Sequence, residues 1–325
     1  LSQSNPPIRP GAVAPIESLV GLRFPGSPTL KTWIFEYQPD ALTLAVLVIA
    51  ALLYFKGIRI LHRRGDKWPV GRTISFVLGL LIVNFAINGS IGVYSHFGFS
   101  YHMIEHMILG MIAPIFFVLS APITLALRTL PKSRDGKERG IRGLLLSFMH
   151  SRFVLFLSNP VAALLIFDGS LFGLYMTPLF GHLMKGHTGH LFMDIHFILA
   201  GALFFHVIIG VDPNPFKPPY IVRLAILLAA MSIHAFFSVA LMSARTLLDD
   251  GYYLSQGNPF ELDLLTNQQL GGAIGWAMSE IPVLIALIAV FIKWMRDDRI
   301  EAARIDRSID RALAMGKNDE LGEYN

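Results

Sequence analysis

Cysteine is absent from the chain. No disulfide, iron–sulfur cluster or thiolate metal site can therefore be built, and any metal must be held by His, Met, carboxylate or backbone. Charge is scarce too: 15% of the residues are charged and 53% hydrophobic, whereas a soluble domain carries about a quarter charged. Residues 1–40 are proline-rich and hold no apolar h-region, which argues against a signal peptide there. Because the chain opens on Leu1 rather than Met, a trimmed start or a piece of a longer precursor is expected. There is no internal repeat, low-complexity tract or nucleic-acid motif. The net charge of +4 and pI near 9.3 need no nucleic-acid partner, because the basic residues flank apolar runs. In that position they set topology and meet anionic lipid headgroups.

What the chain has in abundance is long apolar runs, with a mean hydropathy of +0.53. Seven follow one another at 41–61, 74–94, 101–127, 153–175, 189–210, 221–242 and 270–294, each near the ~20 residues a bilayer core requires. Helices are the expected spanning element, since every backbone N–H and C=O must be paired within the segment. Pro114, Pro122, Pro160 and Pro282 predict kinks or late helix starts. Lys and Arg crowd 56–73, 128–152 and the tail from Lys293, while the stretches after the second, fourth and sixth runs hold none, Lys185 and Arg245. That alternation predicts an all-α, seven-transmembrane-helix bundle with its N-terminus outside and its C-terminus cytoplasmic. The expected parts are an extracytoplasmic segment (1–40), one transmembrane domain (41–295) and a charged cytoplasmic tail (296–325). In the tail, Ile305, Ile309 and Leu313 fall at i,i+4 spacing, as in a short surface helix or a solvated one.

The chemical signal is histidine, with eleven in the chain. His62 and His150 fall in basic loops, and the others fall on the outer half or inside the bundle. Ionisable groups within spans are costly and face a site, a cavity or one another. His102 and His106 are an i,i+4 pair on one face of the third helix, a spacing that two ligands of one metal use. Glu105 lies beside them, and Met103, Met107 and Met111 form a stripe of thioethers. Imidazole with thioether suits copper, especially Cu(I), although a methionine stripe is also ordinary packing. His187 and His190 form an i,i+3 pair where the fifth helix begins. Asp194 stands at helical pairing distance from His190, and His196 lies nearly two turns deeper than that pair. His234 falls near mid-membrane, Glu280 precedes Pro282 inside an apolar run, and His206 sits toward the inner end.

The ordered series HMIEHMILGMIAPIFFVLSAPITLALR (102–128), GLYMTPLF (173–180), GHLFMDIHFILAGALFF (189–205), GVDPNP (210–215), IHAFFSVALMS (233–243) and NQQLGGAIGW with SEIP (267–282) resembles the CtaG family. These are seven-helix assembly factors of cytochrome c oxidase, implicated in its copper supply. The resemblance extends over about residues 40–298 and implies metal ligands at His102, His106, His190, His196 and His234. Placement alone adds His187, Met103, Met107, Glu105 and Glu280 as further candidates. Asp168, His206, Asn267 and Ser279 depart from the family pattern. Some relatives carry this unit after a CopD-like domain, which suits the missing Met. The implied protein is not an enzyme. It resides in the bacterial cytoplasmic membrane and binds or passes copper to oxidase subunits or other copper chaperones of the respiratory chain. A haem-binding redox protein, a copper permease and an accessory oxidase subunit are the alternative readings.

Overall fold

A computed structural model describes residues 23–131, 140–216, 218–260 and 263–322. Residues 1–22 of the expected outer segment and 132–139 of the expected basic loop at 132–142 lie outside the described residues. Among those described, the regular structure is helical, with no strand and an isolated bridge between Tyr37 and Gly89.

A Thr29–Thr32 capping box opens α1 (Leu30–Phe35), and Asp40 opens α2 (Ala41–Arg63) by accepting from the Thr43 amide at 2.6 Å. α2 and α3 (Val70–Asn88) are peripheral. Leu42, Val46, Ile49, Leu52 and Leu53 of α2 are exposed, as lipid-facing side chains of a membrane helix are. A short α4 (Ser90–Ser95) then carries the chain toward α5 (Phe99–Met107). The third apolar run is one path of several pieces. α5 passes through a π-helical turn (Ile108–Ile112) into α6 (Ala113–Leu119), and α7 (Pro122–Thr129) follows a left-handed Ala121 (φ 50°). Pro114 explains the π turn: it has no N–H, and its ring excludes the carbonyl of residue 110. The Ala113 amide instead reaches back to the Ile108 carbonyl. α7 is anchored from elsewhere: the Ile123 and Thr124 amides donate to the buried Asp212 carboxylate at 3.1 and 2.7 Å, where the positive helix end favours an anion.

The fourth run is not a single rod. After α8 (Ile141–Met149), Ser151 caps α9 (Arg152–Leu157), Asn159 caps α10 (Pro160–Phe167), and Asp168 separates α10 from α11 (Gly169–Tyr175). A side-chain cap followed by Pro at the first helical position is a start signal, so the segment expected at 153–175 restarts inside itself. Among the described residues six helices are long and apolar enough to cross a membrane, and the shorter apolar stretch Pro160–Tyr175 occupies the fourth position.

α12 (Leu179–Met184) turns the chain into α13 (His187–Ile209), which is followed by α14 (Tyr220–Met242) and the small α15 (Tyr252–Ser255). The last helix, α16 (Leu264–Gly322), begins before the expected 270 and continues through the tail without a break, carrying Pro282 inside it. Ile305, Ile309 and Leu313 are exposed on it, so they do not dock on the bundle. α5 packs against α16, α13 against α6 and the π turn, and α14 against α16. The main apolar core lies between these elements. A second core joins Tyr54, Leu61, Trp68 and Phe76 to Ala121 and Leu125.

Candidate metal centre

Two features aim the face of α5 inward. At its start, the Ser100 amide donates to Asn267 Oδ1 at 3.1 Å and the Asn267 amide group donates to Ser100 Oγ at 2.8 Å. These two bonds fix α5 to α16. One turn on, Gly271 and Gly275 of α16 let Phe99 and Met103 pack closely. His102, Glu105 and His106 are thereby directed away from α16 and toward α13, and all three are at most 1% exposed.

α13 brings His190 and Asp194 to meet them. One ligand atom from each of His102, Glu105, His106 and His190 lies within 4.8 Å of the others. His190 Nε2 is 3.6 Å from Glu105 Oε2, and its Nδ1 is 3.5 Å from Asp194 Oδ2. Asp194 Oδ1 stands 3.4 Å from His106 Nε2. On its other nitrogen, His106 Nδ1 shares a 2.8 Å hydrogen bond with the Tyr175 hydroxyl. The 190–194 pairing foreseen from helical spacing is therefore present, and Asp194 bridges two imidazoles. Sequence reasoning missed Tyr175, which ends an apolar run and has its partner 69 positions away. Neither ring nitrogen of the fully buried His102 has a hydrogen-bond partner among the described residues. An unpaired buried polar atom costs about 1–3 kcal/mol. The cost falls on a residue surrounded by potential metal ligands.

Phe99, Tyr175 and Phe180 pack around His102, with ring centroids 6.2, 6.1 and 5.1 Å away, and Phe197 packs on His106 at 4.4 Å. The opposite side opens into a cavity of about 590 Å³, whose wall includes His96, Glu105, His190 and Asp194. His96 lies between spans with its ring 4.5 Å from that of His190. Burial, and then the neighbouring His190, push its pKa down to about 3.

The remaining candidates lie elsewhere. His187 sits at the cavity mouth, its Nε2 3.7 Å from Asp40 Oδ1. His196, expected to share the interior of the cluster, is half-buried between Phe192 and Phe197. Helical geometry gives the reason: six residues beyond His190 is about 120° round the helix, whereas four residues returns to the same face. His234 is buried but pairs with Asp168, Nδ1 to Oδ1 at 2.6 Å, a contact made by the residue that separates α10 from α11. Met103, Met107 and Met111 belong to the apolar core. Glu280 accepts from the Trp276 indole at 3.1 Å on its own helix. Half-buried His206 has no ion pair or hydrogen bond to the cluster among the described residues.

A helical membrane bundle with a buried histidine–carboxylate cluster, walled by aromatics on one side, defines a class of polytopic protein built around an internal polar centre. Residues 52–297 match the family described as cytochrome c oxidase caa3 assembly factor (Caa3_CtaG), and the chain belongs to that family. It is 40% identical over 306 residues to an uncharacterized protein of Mycobacterium bovis and to one of Mycobacterium tuberculosis. It is 38% identical to an uncharacterized protein of Mycobacterium leprae. Each alignment covers 94% of this chain and 46% of the relative, so the chain spans about half the length of these curated relatives. No solved structure matches it.

Proposed function

We propose that this chain is a non-catalytic, copper-handling assembly factor of the bacterial cytoplasmic membrane that helps load a haem–copper oxidase. The observation that carries this reading is the convergence of His102, Glu105, His106 and His190 within 4.8 Å, with His102 lacking a hydrogen-bond partner at either nitrogen among the described residues. A metal ion meets that need directly, because imidazole nitrogen is a good copper ligand. Asp194 and Tyr175 would orient the imidazoles from behind, as outer-shell partners of metal-bound histidines do.

The charge balance refines the reading. With neutral imidazoles, the cluster holds two buried carboxylates, Glu105 and Asp194. A divalent ion neutralises both, whereas a monovalent ion leaves one charge to be met by a proton. The carboxylates thus turn the balance from the Cu(I) expected of a thioether-rich site toward Cu(II). Cargo transfer would be ligand exchange: the imidazoles hold the ion until an oxidase subunit or another copper chaperone offers a better site. Acid weakens such binding, since protons compete for the same nitrogens.

A porphyrin needs an open slot between two axial imidazoles. The rings of His102, His106 and His190 instead pack with centroids 3.9–5.9 Å apart, against the haem alternative. A permease needs ligands continuing inward, yet His206 and Glu280 make no bond to the cluster among the described residues. Metal analysis of the purified chain is the test: about one copper per wild-type molecule and a several-fold loss in His102→Ala or His106→Ala, at unchanged abundance. Equal copper in wild type and both variants would overturn the reading.

A further inference from the structure

The buried cluster has a way in. Glu105, His190 and Asp194 belong both to the cluster and to the wall of the 590 Å³ cavity, while the aromatic rings around His102 and His106 occupy the other side. The far wall of that cavity is the stretch before α2, including Glu36 and Asp40, with His187 across from it. We propose that this cavity is the route by which a metal cation reaches the cluster, with Asp40 and His187 as its first ligands. The proposal rests on the copper-handling reading and adds where the ion enters.

Three observations support it. The first is the sign of the charge: Glu36, Asp40, Glu105 and Asp194 line the cavity against Arg23, so its field gathers cations rather than anions. The second is spacing. His187, His190 and Asp194 fall at i, i+3 and i+7 on α13, about one turn apart along one face. An ion at the mouth, where His187 Nε2 and Asp40 Oδ1 are 3.7 Å apart, then finds its next ligands one turn deeper. The third is Glu105, which is 1% exposed, lines the cavity and leaves Oε2 without a hydrogen-bond partner among the described residues. That carboxylate oxygen is the acceptor an arriving cation would meet.

Rapid mixing of the full chain in lipid nanodiscs with Cu(II), followed by quenching of intrinsic fluorescence, tests the route. Asp40→Asn keeps the cap of α2, because Asn caps as well as Asp, and removes the charge; His187→Gln removes the imidazole. The double variant is expected to bind copper to the wild-type stoichiometry but about tenfold more slowly, the scale of local cation focusing. A bulky thiosulfonate attached at Leu191→Cys on the cavity wall, in a chain with no other cysteine, should slow binding in the same way. Association at the wild-type rate in both would overturn the route while leaving the cluster reading intact. A loss of stoichiometry in the double variant would also overturn it, by making Asp40 and His187 part of the final site. No copper uptake by the wild type would bring down both proposals together.

Discussion

At the scale of single residues, the cavity side of the centre is lined by imidazoles that are partly or fully buried. His96 is the one outside the spans, and its pKa falls from the usual 6.5 to about 3. Its folded form therefore resists a proton that the unfolded chain accepts. At neutral pH both states are neutral there and the group contributes nothing. As pH falls below about 6.5 the unfolded state binds more protons and stability drops, continuing until the folded group itself titrates near 3. Thermal unfolding of the metal-free protein between pH 7 and 4 should show this slope, and His96→Gln should make it shallower; identical slopes would rule it out. The residues of the cluster were largely legible in the sequence. His102 with His106, and His190 with Asp194, are helical pairs whose common face follows from spacing alone. His196 falls off that face by the same spacing rule, six residues from His190 being about 120° round the helix, whereas the place of His234 depends on Asp168 of another element, which spacing within one segment does not reveal. Tyr175 was hidden for a related reason, since its partner His106 is 69 positions away.

At the scale of elements, the site depends on how closely α13 approaches the π turn. The freed Gly110 carbonyl faces Gly201, where an added Cβ would stand only 2.0 Å from that oxygen and 2.8 Å from the Pro114 ring. Gly201→Ala must push the two helices apart, at a cost on the order of 1–3 kcal/mol as for other overpacked positions. The displacement would carry His190 and Asp194 away from His102 and His106. The expected result is a lower unfolding temperature together with weaker copper retention; wild-type values of both would show that the contact relaxes at no cost. Pro114 announced a break in the third helix, but not that the break would be a π turn filled by a glycine of another helix. In the fourth run Pro160 announced a late start, and α10 begins there under the Asn159 cap. The Ser151 cap of α9 and the break at Asp168 were masked by the apolar character of 153–175.

At the scale of the whole molecule, one end of the bundle carries the basic residues and the other carries the cavity. Arg72 and Arg128 stack on Trp68, 4.9 and 5.9 Å from its ring, and Arg64 donates to the carbonyls of Arg128 and Thr129. The end of α2 is thereby fixed to the end of α7 in the basic region. At the other end Lys185 pairs with Asp250, and the Tyr253 hydroxyl donates to the Ser95 carbonyl above the cluster. Positive residues remain on the cytoplasmic side of a bilayer, so the cavity and its cluster should face outward, toward the compartment from which an outer metal source would load them. The absence of cysteine makes this directly measurable. A single cysteine at Lys185 should react with a membrane-impermeant maleimide added to intact cells, while one at Ser133 should react only after the membrane is opened. The even-numbered alternative, with Pro160–Tyr175 not crossing, would put the ends of the chain on the same side. It would place residues 133 and 185 on one side as well, since only the fourth run separates them. Equal labelling of the two positions from outside would therefore remove the fourth crossing. Labelling of residue 133 alone would reverse the orientation and turn the cavity toward the cytoplasm.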